Sequence, residues 1–358
     1  MSSATAAESF DSVRIRPLPE AKHCLPLLVE PGATRDAASL AAWISANRTW
    51  VHDRMREHGA VLFRGFDLAE PKAFESVARA IDEELKNEYL GTSPRDALTD
   101  YVFNASELPP YFPIPEHCEM SFVKDYPRRI FFCCLLPPNE GGETPLVDFR
   151  RVWNDMDPAV RERFTARGIR IVRNYAGPDH KSAFNFFELK PWHDMFRTRD
   201  HAAVEAKCAE QSFEPTWGAD ESLRLVSRHA PMKLHPETGE PVWFNHLTTF
   251  HLSTASAEYE RIYALRPTWR NFGLLQFARA MVAVRQLTTN SDDQSMHCTY
   301  LDGSEIEAAD IEHVRDLVWR HLVVYAWQLG DVVAIDNHSV GHGRLPYEGP
   351  RHVCVCWA

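Results

Sequence analysis

The chain has 358 residues, 44% of them hydrophobic and 25% charged, with a formal net charge of -11. That is the make-up of a globular protein large enough to bury a sizeable core. An acidic balance with no Lys/Arg-rich run excludes a nucleic-acid backbone or an anionic membrane as the main partner.

Residues 1–12 are small and polar and read as a flexible tail. Residues 13–358 read as a single domain. Val13 to Val29 alternates loosely around Pro17, Pro19 and Pro26, as edge strands and their turns do. A helical pattern follows from Asp36 to about His58, with Gly59 as its stop, and then the short strand Ala60 to Phe66. A second helix is predicted from Pro71 to Leu85. Residues 88–116 read as loop, punctuated by Gly91 and Pro94 and by prolines 109, 110, 113 and 115.

Arg129 to Leu136 is a buried strand, and the turn 137–142 precedes a strand from Glu143 to Val147. A helix from Pro158 to Ala166 and a strand from Ile169 to Tyr175 come next. Residues 176–225 read as an insertion, aromatic and poorly periodic, with one helical patch at 202–210. Pro231 to Phe244 resembles a hairpin, residues 256–290 mix helix and loop, and Ile306 to Arg320 is a helix. Strands are predicted at His321–Trp327, Asp331–Ile335 and His352–Trp357. The sum is mainly β with peripheral helices, favouring a double-stranded β-helix (a cupin-like jelly roll) over a parallel α/β sheet.

The eight cysteines form no C-x-x-C, and Cys133, Cys134, Cys354 and Cys356 lie in apolar runs where thiols behave as small hydrophobes. No apolar stretch is long enough to cross a membrane, and the N-terminus lacks a basic region followed by an apolar one. A cytoplasmic protein with reduced thiols is expected.

The chemistry concentrates at His117-Cys118-Glu119 and at Asp336–Arg344. Side chains at i and i+2 of an extended strand share a side, so His117 and Glu119 can hold one ion. Two imidazoles and a carboxylate with open positions make the facial triad of non-haem Fe(II) oxygenases. His338, His342 and His352 compete for the third corner, and the glycines on both sides of His342 allow close backbone approach there. Zinc also accepts two His and a Glu, but neither a general base nor an H-E-x-x-H helix supports a hydrolase.

Gly59–Phe66, the H-x-E, Gly141-Gly142-Glu143-Thr144, Trp327-x-x-Gly330-Asp331 and Asp336-Asn337…His342-Gly343-Arg344 occur in the order seen in taurine-dioxygenase-like (TauD/TfdA) enzymes. Those are Fe(II)- and 2-oxoglutarate-dependent oxygenases with a jelly-roll core, and the resemblance spans roughly residues 15–358. Ser106-Glu107-Leu108-Pro109, Trp243-Phe244-Asn245, Asp302-Gly303-Ser304 and the ending from His342 to Arg351 resemble the syringomycin-type hydroxylase branch of natural-product pathways. Cys118 stands where that branch often has Asn, and Leu301 where it often has Gly.

The resemblance implies His342 as the third metal ligand and Fe(II), 2-oxoglutarate and O2 as the reactive set. It implies Arg351 as the clamp on the far carboxylate of 2-oxoglutarate, helped by the Thr144 hydroxyl, with Arg344 as the alternative arginine. Halogenases of this superfamily replace the carboxylate ligand with Gly or Ala, so Glu119 points to hydroxylation of an unactivated C–H with release of succinate and CO2. Desaturation, cyclisation or epoxidation by the same oxidant, and a non-catalytic metal-binding jelly roll, are the alternatives. Asn104, Met120, Asn245 and His246 are expected to face the substrate, a small amino-acid-like molecule, free or tethered to a carrier protein.

Overall fold

The apolar run Arg129–Leu136 forms a strand, and its neighbours explain why it carries no polar face. In this computed structural model, which describes residues 9–10, 12–89, 95–179 and 189–358, it lies antiparallel between Val332–Asp336 and His352–Trp357. Successive side chains alternate between two cores. Ile130, Phe132 and Cys134 enter one cluster with Val333, Ile335, Val355 and Trp357. Phe131 and Cys133 enter the other with Val332, Ala334, Cys354 and Cys356. A sheet covered on both faces needs continuous apolar strands, which is what the sequence supplies. The four cysteines are free thiols within these cores.

The sheet runs Ser9–Phe10, Val13–Lys22, Leu25–Pro31, Ala60–Phe63, Val332–Asp336, Arg129–Leu136, His352–Trp357, Phe103–Asn104. Its outer face is covered by Ala37–Ala46, Arg48–His58 and Pro71–Ile81, which bury Leu40, Ile44, Val51, Met55, Phe74 and Val77. The single helix expected over 36–58 is two. Asn47 closes the first by donating from its own side chain to the Trp43 carbonyl at 2.8 Å, a local bond that competes with continuing the helix. Gly59 ends the second at φ 84°, and its amide donates to Met55 O at 2.7 Å. A Cβ there would lie 2.3 Å from Val340 Cγ2, so only glycine fits.

A three-stranded sheet, Ile114–His117, Val340–Arg344, Leu146–Asp148, faces the inner core. A four-stranded sheet joins Glu214–Trp217, Leu223–His229, Ile169–Tyr175 and Met296–Thr299. Residues 176–225 are therefore more regular than their periodicity suggests: helices Trp192–Phe196 and His201–Gln211 precede those first two strands. Residues 1–8 of the predicted tail, the loop positions Gly91 and Pro94, and residues 180–188 lie outside the described residues.

Two other elements differ from expectation. The helix Ala308–His321 runs into the predicted strand His321–Trp327, whose backbone, among the described residues, pairs with another strand only at the Leu146–Val323 bridge. Val323, Tyr325 and Trp327 are buried as strand residues would be, so composition suggested pairing the backbone does not make. Residues 256–290 hold two helices, Thr254–Leu265 and Trp269–Thr288. Apolar residues on the exposed side of the second, Trp269 at 90% and Leu287 at 88% exposure, blur its periodicity.

Phe131→Ala should cost about 3–5 kcal/mol, because its ring is fully enclosed. Leu136→Ala, at the exposed end of the same strand, should change stability by less than about 0.5 kcal/mol. Urea unfolding of both variants checks the pair.

Candidate metal centre

The register of one strand pair builds the site. Val340–Arg344 runs antiparallel to Ile114–His117 with His342 directly opposite His117, and the two rings lie 4.7 Å apart. The flanking glycines let the strand sit this deep. A Cβ on Gly341 would fall 2.4 Å from the Phe149 ring, and one on Gly343 would fall 2.5 Å from the Ile114 carbonyl.

Glu119 joins them, but not by the i/i+2 geometry of a strand. Regular pairing ends at His117, and Glu119 lies in a turn followed by Met120 at φ 53°. Asn337, fully buried, holds that turn: its Oδ1 accepts from Glu119 N at 2.6 Å, and its Nδ2 donates to Glu119 O at 3.0 Å and Pro127 O at 2.7 Å. One ligand atom from each of His117, Glu119 and His342 lies within 4.8 Å of the others, and His342 Nε2 is 3.5 Å from Glu119 Oε2.

The donor set suits a divalent metal. His117 Nδ1 sits 2.8 Å from the Pro115 carbonyl, which can only accept, so Nδ1 carries the proton and Nε2 keeps a free lone pair. His342 Nδ1 is buried and has no hydrogen-bond partner among the described residues. Burial first, and then the neighbouring His342, drives the His117 pKa from 6.5 down to about 4, so the ring stays neutral. Burial alone would raise the Glu119 carboxyl, but the Arg95 guanidinium and the two imidazoles hold it well below the usual carboxylate range.

A second group, His251, His297 and Glu305, has ligand atoms equally close. There Nδ1 of each ring accepts a backbone amide, from Ser253 at 3.2 Å and Leu252 at 3.3 Å. The protons therefore sit on Nε2, and His297 spends its own on Glu305 at 3.0 Å. Both Nδ1 lone pairs are therefore spent on backbone amides and not turned to an ion.

The other proposed third ligands are elsewhere. The His338 ring lies edge-on to Tyr126 and His235, and His352 Nε2 meets Asn104 Oδ1 at 3.2 Å. Arg351 and Thr144 do meet beside the triad: Arg351 Nε donates to Gly142 O at 2.9 Å, and Nη2 reaches Thr144 Oγ1 at 3.5 Å. Trp327 Nε1 also donates to that hydroxyl, at 3.2 Å. Burial, then the nearby Arg344, lowers the Arg351 pKa to about 10, leaving it cationic at neutral pH.

Arg344 borders the same space but is already engaged. Its guanidinium donates to the carbonyls of Leu108, Pro109 and Phe112 at 2.7–3.0 Å, tying down the loop before the H-x-E. These bonds occupy Nη1 and Nη2 and leave Nε, which has no partner among the described residues.

The triad opens into a cavity of about 190 Å³, walled by Leu108, Phe112, Phe122, Phe132, Phe250 and Tyr259. His246 lines it, with Nδ1 2.5 Å from Ser121 Oγ. Met120, Asn104 and Asn245 do not. Met120 is packed in the core, Asn104 pairs with His352, and Asn245 is spent on Pro231 O and Leu247 N. Sequence reasoning missed Arg95, Tyr89 and Glu258 on the wall. No spacing links them to the H-x-E, since a loop and a helix distant in the chain bring them there.

Asn337→Ala should destabilise the protein by about 2–4 kcal/mol, since it strands buried amide and carbonyl groups of the Glu119 turn, and thermal or urea unfolding reads that. The lowered His117 pKa also has a pH signature in metal-free protein. The unfolded chain takes up a proton near pH 6.5 and the folded one only near pH 4, so stability falls as pH drops through that window. His117 should account for about 3 kcal/mol of the fall, and His117→Gln should remove that part from a pH series of urea unfolding curves.

The description "Taurine catabolism dioxygenase TauD, TfdA family" belongs to a family model that matches residues 14–357. The dapdiamide synthesis protein DdaC of Enterobacter agglomerans is 28% identical over 305 residues, covering 85% of this chain and 83% of that one. A clavaminate synthase-like protein of Arabidopsis thaliana is 27% identical over 351 residues, covering 94% and 96%. Among solved structures, PvcB of Pseudomonas aeruginosa, described as an Fe, alpha-ketoglutarate dependent oxygenase from an isonitrile synthetic pathway, aligns over 98% of this chain and 93% of its own. Its TM-score is 0.54 at 14% identity, a likeness of fold. With nearly its whole length matched by the family model, the chain belongs to the TauD, TfdA family of taurine catabolism dioxygenases.

Proposed function

We propose that the protein is an Fe(II)- and 2-oxoglutarate-dependent dioxygenase that hydroxylates an unactivated C–H of a small amino-acid-like or natural-product substrate, releasing succinate and CO2. The observation that carries this reading is one cavity walled by both His117, Glu119, His342 and the Arg351–Thr144 pair. A metal site alone has no need of a buried cation beside it. A dicarboxylate cosubstrate does, because its far carboxylate must be desolvated against a fixed partner. Family membership and the description of PvcB support the same chemistry, and the name of DdaC supports a natural-product setting. We read the large sheet and the sheet bearing the triad, which both bury side chains in the inner cluster, as the two halves of a double-stranded β-helix core, the architecture this chemistry suits.

Bound Fe(II), with 2-oxoglutarate and O2, supplies the oxidative decarboxylation and the oxidant that attacks a C–H bond. The chain's own residues do the rest. His117 and His342 present imidazole lone pairs, and Glu119 presents an anionic oxygen. Arg351 and Thr144 orient the cosubstrate from its far end. The aromatic wall excludes water, so the substrate C–H is held in an apolar space. A carboxylate at position 119 occupies the place a halide would need, which favours hydroxyl transfer.

The test needs no knowledge of the substrate. Iron-loaded protein in air should release succinate from 2-oxoglutarate slowly by uncoupled turnover. Arg351→Ala should raise the KM for 2-oxoglutarate by about 10- to 100-fold, the worth of a charge-assisted carboxylate contact. Iron-loaded, folded protein that yields no succinate would favour a non-catalytic metal-binding role.

A further inference from the structure

The oxygen of Glu119 that faces His342 is also the oxygen held by Arg95. Arg95 Nη2 donates to Glu119 Oε2 at 2.9 Å, and the same Oε2 is 3.5 Å from His342 Nε2. The ion pair is almost sealed from solvent, with side-chain exposures of 7% for Arg95 and 3% for Glu119. The guanidinium is fixed from behind by aromatic rings: its Cζ stands 4.5 Å from the Tyr89 ring centre and 5.7 Å from that of Trp357. Trp357 stacks in turn on Phe103 at 5.0 Å and lies tilted against Tyr89 at 5.3 Å, all on the inner side of the large sheet.

As a stabilising device this pair is poorly made. Among the described residues Nε and Nη1 of Arg95 have no hydrogen-bond partner, and a buried ion pair with donors unmet there gains little over an apolar replacement. As a geometric device it is well made. Turning the carboxylate to set both oxygens on one ion would break the Arg95 bond to Oε2, whose other lone pair is left on the side of His342. The stacking fixes the guanidinium, and the guanidinium fixes the rotation of the carboxylate.

We propose that Arg95 is a positioning residue that holds Glu119 as a one-oxygen metal ligand and so preserves the open coordination positions of the centre. The inference rests on the metal-binding reading of His117, Glu119 and His342, and goes beyond it by assigning the residue that sets how the carboxylate binds. A partner that orients a metal ligand is worth about 10- to 100-fold in metal affinity.

The probe is Co(II) alone, added to the full-length metal-free protein, with visible absorption reporting coordination and a chelator competition reporting affinity. Arg95→Gln should bind Co(II) about 10- to 100-fold more weakly with altered d–d bands, and Arg95→Lys should recover most of the affinity. Folded Arg95→Gln with unchanged affinity and bands would overturn the proposal. Should Arg95→Gln not fold, the wild type decides by itself. Its metal-induced infrared difference spectrum should show the wide carboxylate splitting of one-oxygen ligation, and the narrow splitting of two-oxygen chelation would overturn the assignment. Wild type that takes up no Co(II) would bring down the metal reading and this inference together, whereas normal uptake with an insensitive Arg95→Gln removes this inference only.

Discussion

The antiparallel pairing of Val340–Arg344 with Ile114–His117 is the constraint on which the site depends. It sets His342 opposite His117 although 225 residues separate them in the chain (342 − 117). Strand pairing fixes such a distance to within a fraction of an ångström, and a one-residue slip would turn one imidazole to the opposite face. The small residues around His342 make that register attainable. Any side chain at Gly341 or Gly343 would collide with Phe149 or the Ile114 backbone and lift the strand away. Glu119 depends on the same pairing at one remove, because Asn337, just ahead of the Val340–Arg344 strand, carries the Glu119 turn.

Burial then gives these groups their chemical state. The buried His117 imidazole stays uncharged, and the Glu119 carboxylate in the same space stays ionised against its own burial, first because of the Arg95 guanidinium. The result is two imidazole donors and one anionic donor brought together, with a cation fixed nearby at Arg351. A divalent ion and a dicarboxylate together complete that charge pattern. The loop carrying the H-x-E is held by Arg344, whose guanidinium serves three backbone carbonyls instead of a ligand.

Much of this was legible in the sequence, for identifiable reasons. The run Arg129–Leu136 could be read because a doubly covered strand has no polar face, and Gly59 because a left-handed helix end accepts little else. The triad and the Arg351–Thr144 pair could be named because motifs keep their order along the chain. The means by which Glu119 is held could not be. The i/i+2 rule predicted the right neighbour for a reason that does not apply, since the strand has ended and an asparagine 218 residues away does the holding. Asn245, Asn104 and Met120 look free in sequence, while in the fold their polar atoms are spent on local partners or their side chain is packed in the core, and none of the three lines the cavity. Arg95 was invisible because its role is defined by stacking on Tyr89 and Trp357, and no local pattern encodes that contact.

The most direct measurement is the visible spectrum of the protein under anaerobic conditions as Fe(II) and then 2-oxoglutarate are added. The 2-oxo acid chelated to Fe(II) at His117, Glu119 and His342 should give a weak metal-to-ligand charge-transfer band in the green, absent in His117→Ala. Folded, iron-loaded protein that shows no such band on addition of 2-oxoglutarate would contradict the account at its centre.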